Sequence, residues 1–369
     1  MTSIMVDGHE YHPTWLRDNC LCTGCRHATS FEKIVDLSTF PSSPRARSVR
    51  IENATLVVDW DEQPEHRSVF PAPWLRAHAH DDTDRRRRRP QTLWAANTWG
   101  QDEPPSHDMR RCDGMGGEWA DDLERYGICF FHSVTEAELD RFATSVGPLL
   151  NTEFGDHIVV RAEPDTSDLA LTARHLSPHT DFSAHMHTAP LLQFILCLQQ
   201  RATGGDSIQV DGFTIANELR RASPESFDLL VRTPLGFQQF YANSRYFFRR
   251  TRPIIELDRY GDVSGVFFAH SHASGWRLAP DEVDAVYAAY NAFFAMTKDP
   301  AYQLRTRMKE GDCVAFRNGR ILHGRTGFDP GSGPRTLVDV FVPYDYFDAR
   351  RNYLRYADAY LPVIGVPPA

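Results

Sequence analysis

The sequence predicts a mainly β protein with packed helices: a jelly-roll body, preceded by a smaller β-rich module. Three observations predict it. Short apolar strands recur through the second half between Gly- and Pro-containing turns. Three cysteines crowd a single loop near the amino terminus. Two histidines and an aspartate with metal-ligand character stand far apart in the chain, so strands must bring them together.

The front module is expected over residues 1–80. Its strands are read at Ser48 to Ile51 and Thr55 to Trp60, where β-branched and apolar residues concentrate. In WLRDNCLCTGC, the thiols of Cys20, Cys22 and Cys25 can wrap one tetrahedral ion, with Gly24 easing the turn. A fourth ligand is required, and His66 in DEQPEHRSVFPAPWL is the choice, because a hairpin after TLVVDW would return it to the loop; His27 and His9 are the competitors. A structural Zn(II) there would offset a thin core.

Residues 81–117 read as a linker and connecting segment. Within it, DDTDRRRRRP holds five consecutive arginines beside compensating aspartates, the pattern of a solvated stretch rather than a nucleic-acid signal. Thr92 to Gly117 has little periodicity, and GMGG marks its end as a loop.

The body is expected over 118–369. EWADDLERY reads as a helix leading into the strand GICFFH, and TEAELDRFATSVGPL as a second amphipathic helix. APLLQFILCLQQ is a near-continuous apolar strand, TGGDSIQVDGF a turn and strand. Helical periodicity covers 214–232 and 280–297, the latter with Pro280 in its first turn. IIELD, VSGVFFAH, DCVAFRN, RILHG and RTLVDVFV are read as strands.

Composition removes several function classes. A net charge of −9 argues against general nucleic-acid binding, which needs a basic surface. No apolar run approaches the roughly 20 residues of a membrane helix. The start, MTSIMVDGHEYHPTW, shows no basic region followed by an apolar stretch. Seven cysteines, three of them clustered, suit reduced thiols plus a metal site, so a cytoplasmic protein is expected.

The chemistry is concentrated in SPHTDF, NGRILHGRTGF and GPRTLVDVF. On an extended segment His179 and Asp181 would point to one side and grip one metal, with His323 delivered by a distant strand. Two imidazoles and one carboxylate on one face leave the opposite face open, which suits ferrous iron activating O2. The long interval to His323 is what the remaining half of a double-stranded β-helix needs to return. Arg335 opens the next apolar strand, where its guanidinium could fork onto the far carboxylate of a 2-oxo diacid. A zinc hydrolase could use the same three ligands, but Arg335 and the strand spacing speak against it.

These motifs, with HRSVFPAPWL, TGGDSIQVDGF and IIELD, resemble the γ-butyrobetaine and trimethyllysine hydroxylase family in order along nearly the whole chain. The resemblance implies an Fe(II)- and 2-oxoglutarate-dependent oxygenase with a double-stranded β-helix core, an amino-terminal zinc domain and a homodimer. It implies iron on His179, Asp181 and His323, the 2-oxoglutarate carboxylate on Arg335, and zinc on Cys20, Cys22, Cys25 and His66; the site itself offers Ser207 for a further hydroxyl bond to 2-oxoglutarate. The implied reaction consumes O2 and releases succinate and CO2, with ascorbate as a supportive reductant, while a C–H of a small molecule is hydroxylated. Members acting on quaternary amines use an aromatic cage. At those positions this chain carries Phe154, Ile158, Leu171 and Phe341, with Phe182 nearby, so a trimethylammonium substrate is not expected. The alternatives are a γ-butyrobetaine-type hydroxylase whose cage is rebuilt from Phe154, Phe182, Phe341 and Tyr241, or a biosynthetic desaturase or cyclase. Asp181 as ligand argues against halogenation, since no position is freed for halide.

Overall fold

The computed structural model describes residues 3–40, 43–79, 91–100, 103–112, 114–163, 166, 168–185, 191–242 and 244–365. It divides into two compact units, one formed by 1–90 with 351–369 and the other by 91–350. This moves both expected boundaries. Residues 91–117 belong to the larger unit, because Trp94 is fully buried and its indole Nε1 donates to Tyr126 O at 2.8 Å. Met109 and Met115 join the same unit's core. The carboxy-terminal stretch groups with the front unit, where Val363 packs on the core and His78 Nε2 lies 2.7 Å from Tyr360 Oη. Isolated aromatic and Met residues without periodicity gave no pattern to read. The arginine run lies outside the described residues.

The smaller unit holds the hairpin β1 (Ile4–Val6) and β2 (His9–Tyr11) and a three-stranded meander, β3 (Ala46–Glu52), β4 (Thr55–Trp60) and β5 (His66–Pro71). β4 is central and almost wholly buried; Trp60 and Phe70 pack with Tyr11 and Trp74. Register pairs Trp60 with His66, which fixes where the histidine emerges.

In the larger unit the first strands are β6 (Ser106–His107), β7 (Ile128–Phe131), β8 (Ile158–Arg161), β9 (Leu176–His179) and β10 (Leu191–Gln200). Next come β11 (Thr203–Gly204), β12 (Ser207–Asp211), β13 (Leu235–Tyr241), β14 (Tyr246–Arg252), β15 (Ile255–Leu257) and β16 (Val263–Val266). The last are β17 (Gln303–Thr306), β18 (Cys313–Arg317), β19 (Ile321–Arg325), β20 (Phe328–Asp329) and β21 (Arg335–Pro343). A six-stranded sheet runs β6-β7-β18-β10-β21-β8, and a four-stranded sheet runs β17-β12-β19-β9. These are the two sheets of the double-stranded β-helix.

Strand periodicity decides what each sheet shows to each side. Leu192, Phe194 and Leu196 of β10 and Val338, Val340 and Val342 of β21 pack into one core. The helices Glu118–Tyr126 and Glu136–Val146 supply its other side through Trp119, Leu123, Leu139 and Phe142. The alternate residues, Ile195 of β10 and Arg335, Leu337, Asp339 and Phe341 of β21, line a cavity instead. The second helix starts on a capping box between Thr135 and Glu138, as its sequence signals.

The periodic stretch 214–232 is two helices, Gly212–Ala222 and Pro224–Arg232. Pro224 disfavours helical geometry at Ser223, so the chain breaks there and restarts. The helix expected from 280 begins at Val283, leaving Pro280 outside it. A buried ion pair ties β12 to the turn before β19: Arg320 Nε and Nη2 donate to the two oxygens of Asp211 at 3.1 and 3.0 Å. Both residues are 1% exposed.

Candidate active site

His179 is the last residue of β9, and cross-strand register sets it opposite His323 of β19. Asp181 lies past the strand end, in the turn that follows, and Phe182 adopts a left-handed φ of 57°. The expectation of one extended His-x-Asp segment is therefore corrected: the turn, not the strand pleat, swings the carboxylate back toward the imidazole. His179 Nε2 stands 3.2 Å from Asp181 Oδ1, and His323 Nε2 3.5 Å from Asp181 Oδ2. The candidate ligand atoms of all three residues lie within 4.8 Å of one another.

The surrounding side chains hold this arrangement. His179 Nδ1 is 3.0 Å from Ser177 O; as the donor there it leaves Nε2 bare to face the centre. Gln193 Nε2 donates to Asp181 Oδ2 at 2.9 Å, and the Asp181 backbone is clamped by Asn318, which accepts from its N–H and donates to its carbonyl. Burial pulls the His179 imidazole down, but the hydrogen bond and charge of Asp181 outweigh it and leave it raised. His323 is lowered to about 4, chiefly by burial, which Asp181 only partly offsets. Burial works against the Asp181 carboxylate, yet His323, His179 and Gln193 together hold it well below the usual range. A divalent ion requires two neutral imidazoles and an ionised carboxylate. His323 and Asp181 already favour those states, and an ion at His179 Nε2 would take the place of the proton that Asp181 favours there, so the residues fit the metal.

The cavity beside the triad has a volume of about 470 Å³. Its wall includes all five expected pocket residues, Phe154, Ile158, Leu171, Phe182 and Phe341, as well as Ser207, Tyr241 and Arg335. Phe182 meets Phe341 edge-on at 5.0 Å, and Phe154 meets Tyr241 likewise at 5.4 Å. Arg335 is 6% exposed, and its Nε donates to Gly205 O at 3.2 Å. A Cβ at Gly205 would come within 2.7 Å of that Nε, so the second glycine of TGGD clears the space the guanidinium occupies. Among the described residues no carboxylate forms a salt bridge with Arg335, which leaves it suited to an incoming anion. His270 stacks on Phe294 and does not line the cavity.

Four lining or supporting residues were missed. Arg325 shares a face of β19 with His323, donating to Thr172 O and lying 5% exposed. Gln209 is paired with His323 across β12 and β19. Gln193 and Asp339 lie on β10 and β21. The signal was present: period two puts Asp339 on the face of Arg335 and Phe341, and a lone carboxylate in an apolar strand calls for a reason.

In the smaller unit, Cys20, Cys22 and Cys25 place Sγ at 3.2, 3.8 and 3.6 Å from His66 Nε2. A tetrahedral zinc with three sulfurs and one nitrogen needs edges of about 3.5 Å, so this cluster fits one. Neither His27 nor His9 joins the group.

Residues 88–341 match the family described as taurine catabolism dioxygenase TauD, TfdA family. The chain belongs to the TauD/TfdA dioxygenase family. Residues 6–76 match a gamma-butyrobetaine hydroxylase-like amino-terminal domain. A gamma-butyrobetaine dioxygenase of Pseudomonas sp. (strain AK-1) is 33% identical over 91% of this chain and 88% of its own length. A trimethyllysine dioxygenase of Meyerozyma guilliermondii is 26% identical over 92% of this chain and 89% of its own. Among solved structures, AAD-2 in complex with Mn(II) and N-oxalylglycine superposes with a TM-score of 0.51 at 15% identity, covering 68% of this chain and 96% of that one; this is a likeness of fold. As a TauD/TfdA family member the chain is a dioxygenase, and among the described residues no helix is long and apolar enough to cross a membrane.

Proposed function

We propose that this dioxygenase uses Fe(II) and 2-oxoglutarate to oxidise, by hydroxylation, an unactivated C–H of a small molecule. The observation that carries the reading is the convergence of His179, Asp181 and His323 beside a cavity that also contains Arg335. His179, Asp181 and His323 would hold the iron, and Arg335 with Ser207 the far carboxylate of 2-oxoglutarate. Bound together, iron and 2-oxoglutarate supply oxidative decarboxylation to succinate and CO2 coupled to oxidation of a C–H. The chain's own residues do the positioning. Gln193 and Asn318 fix the Asp181 carboxylate, Ser177 fixes the His179 ring, and the Phe182–Phe341 and Phe154–Tyr241 pairs limit which part of a substrate can approach.

In the same proposal Cys20, Cys22, Cys25 and His66 hold a structural zinc. The enzyme works as a homodimer in the cytoplasm with ascorbate as supporting reductant; the family resemblance and four thiols outside the zinc set, none of them in a disulfide, support this. A second reading, a γ-butyrobetaine-type hydroxylase, is favoured by the four aromatic rings on the cavity wall. Against it, Ile158 and Leu171 offer no π face and phenylalanine attracts a cation less than tyrosine or tryptophan. The test is succinate release from 2-oxoglutarate with Fe(II), ascorbate and a substrate panel. Stimulation by some panel member is expected, and no 2-oxoglutarate consumption under any condition would sink the proposal. Strong stimulation by γ-butyrobetaine or trimethyllysine would select the second reading.

A further inference from the structure

The cavity contains a carboxylate that the proposed iron and 2-oxoglutarate sites do not use. Asp339 is 8% exposed, lies two residues before Phe341 on the inward face of β21 and lines the cavity. Its Oδ2 accepts from Gln193 Nε2 at 3.3 Å, while Oδ1 has no hydrogen-bond partner among the described residues. Arg325 and Arg335 feel its charge, yet neither forms a salt bridge with it. On the other sheet's part of the lining, Gln209 of β12 is 2% exposed and its Oε1 also lacks a partner among the described residues. Buried acceptors left unpaired are costly, and the bare Oδ1 of a carboxyl on the cavity lining marks a place where a donor is to arrive.

Charge identifies that donor. With 2-oxoglutarate bound, its two carboxylates balance a divalent ion, Arg325 balances Asp181, and Arg335 supplies one further positive charge. Asp339 and Asp168, whose Oδ2 accepts from Tyr241 Oη at 3.3 Å on the same lining, then share that one positive charge, so the wall is one counter-charge short. Burial and the charge of Asp181 push the Asp339 carboxyl well above its usual range, a cost that an arriving cation removes. Another anion would be repelled, and a hydroxyl would leave the charge uncompensated. A trimethylammonium brings positive charge but no N–H for Oδ1.

Resting on the oxygenase reading above, we infer that the substrate carries a protonated primary or secondary amine and that Asp339 receives it through an N–H···O bond. Because Gln193 bridges Asp339 and the candidate ligand Asp181, this places the nitrogen on the metal side of the cavity, so the oxidised C–H lies close to the amine. Asp339 is then the residue that separates N–H amines from their quaternary counterparts.

The test uses matched pairs that differ only in N-methylation: 4-aminobutyrate and γ-butyrobetaine, 5-aminopentanoate and its N-trimethyl form, lysine and Nε-trimethyllysine. Binding is followed anaerobically by calorimetry on the full chain with Fe(II) and 2-oxoglutarate, and turnover by succinate release. In the native chain at least one N–H amine is expected to bind about tenfold or more tightly than its trimethylated partner, the scale of one charge-assisted hydrogen bond. Asp339→Asn should erase that preference, chiefly through KM, and Asp339→Gly should move it toward the methylated member. Equal or better binding of every trimethylated member by the native chain overturns the inference, whatever the variants do. So does an Asp339→Asn protein that keeps the preference, or one that changes only its 2-oxoglutarate requirement. If calorimetry shows no 2-oxoglutarate binding and no succinate forms, the oxygenase reading fails instead, while the order of the amine pairs still decides the role of Asp339.

Discussion

At the amino-terminal cluster three sulfurs surround His66 Nε2 at 3.2–3.8 Å, whereas at the His179–Asp181–His323 triad the ligands gather on one side and a cavity opens on the other. The donor sets differ in the same direction: soft thiolates that close a tetrahedron against imidazole and carboxylate that leave positions open. So do the supports. Arg17 Nη1 donates to Cys25 Sγ at 3.5 Å, and its Nε and Nη2 fork onto Glu62, so a cation steadies a thiol-rich centre. The triad is steadied by neutral groups, Gln193, Asn318 and the Ser177 carbonyl, which orient without adding charge. A closed cluster serves folding; an open one serves exchange of ligands.

The sharpest way to break the comparison is to remove one ligand from each. Asp181→Ala should abolish substrate-stimulated succinate formation while the protein still binds one zinc, read by metal analysis beside the activity assay; full activity would dismiss the iron assignment. Cys22→Ser should do the reverse. Loss of a structural ion removes several kcal/mol of folding free energy, so the smaller unit's melting transition should fall by about 10 °C or more. Zinc content staying at one per chain would overturn the ligand set. Next in size, Asp211→Ala leaves Arg320 buried and unpaired and should destabilise the larger unit by about 3–5 kcal/mol in urea unfolding, because only the removal of one partner exposes the full desolvation cost.

How much was legible follows from which signals are local. The Cys20–Cys25 loop, the His-x-Asp pair and the apolar runs of β10 and β21 declare themselves because ligand type and strand period are written within a few residues. Choosing His66 over His27 and His9 needed a hairpin, and the β4–β5 register supplies it. Trp94, Met109 and Met115 were unreadable because their burial depends on partners far along the chain, Tyr126 and Thr214 among them. The hairpin β13–β14 was missed for another reason: QQFY and YFFRRTR alternate weakly, and several of its large residues, Phe240 and Phe247 included, are exposed. Asp339 and Arg325 were visible by period but carried no motif to say what they face.

Arg335→Ala should raise the 2-oxoglutarate requirement by about tenfold to a hundredfold, with Arg335→Lys intermediate because an ammonium cannot fork onto a carboxylate. Initial rates against 2-oxoglutarate concentration decide it, and an unchanged requirement would move the anchor elsewhere, Arg325 being the other guanidinium on the wall.

The smallest expected effect concerns the open side alone. Phe341 is 1% exposed and meets Phe182 edge-on, so the ring presents an apolar surface to the cavity. Phe341→Tyr adds a hydroxyl and a stronger π face. A gain of about 0.5–1 kcal/mol of cation–π attraction would raise γ-butyrobetaine-stimulated turnover by about two- to fivefold. The same hydroxyl next to Ile158 and Leu191 costs a similar amount unless it reaches water or a partner in the cavity. Thermal melting of the variant separates the two terms, since only the second lowers stability. A large rise in quaternary-amine turnover without loss of stability would mean that this one position had been keeping the cage closed to cations; a change confined to stability would mean that the wall, taken with Ile158 and Leu171, is apolar by construction.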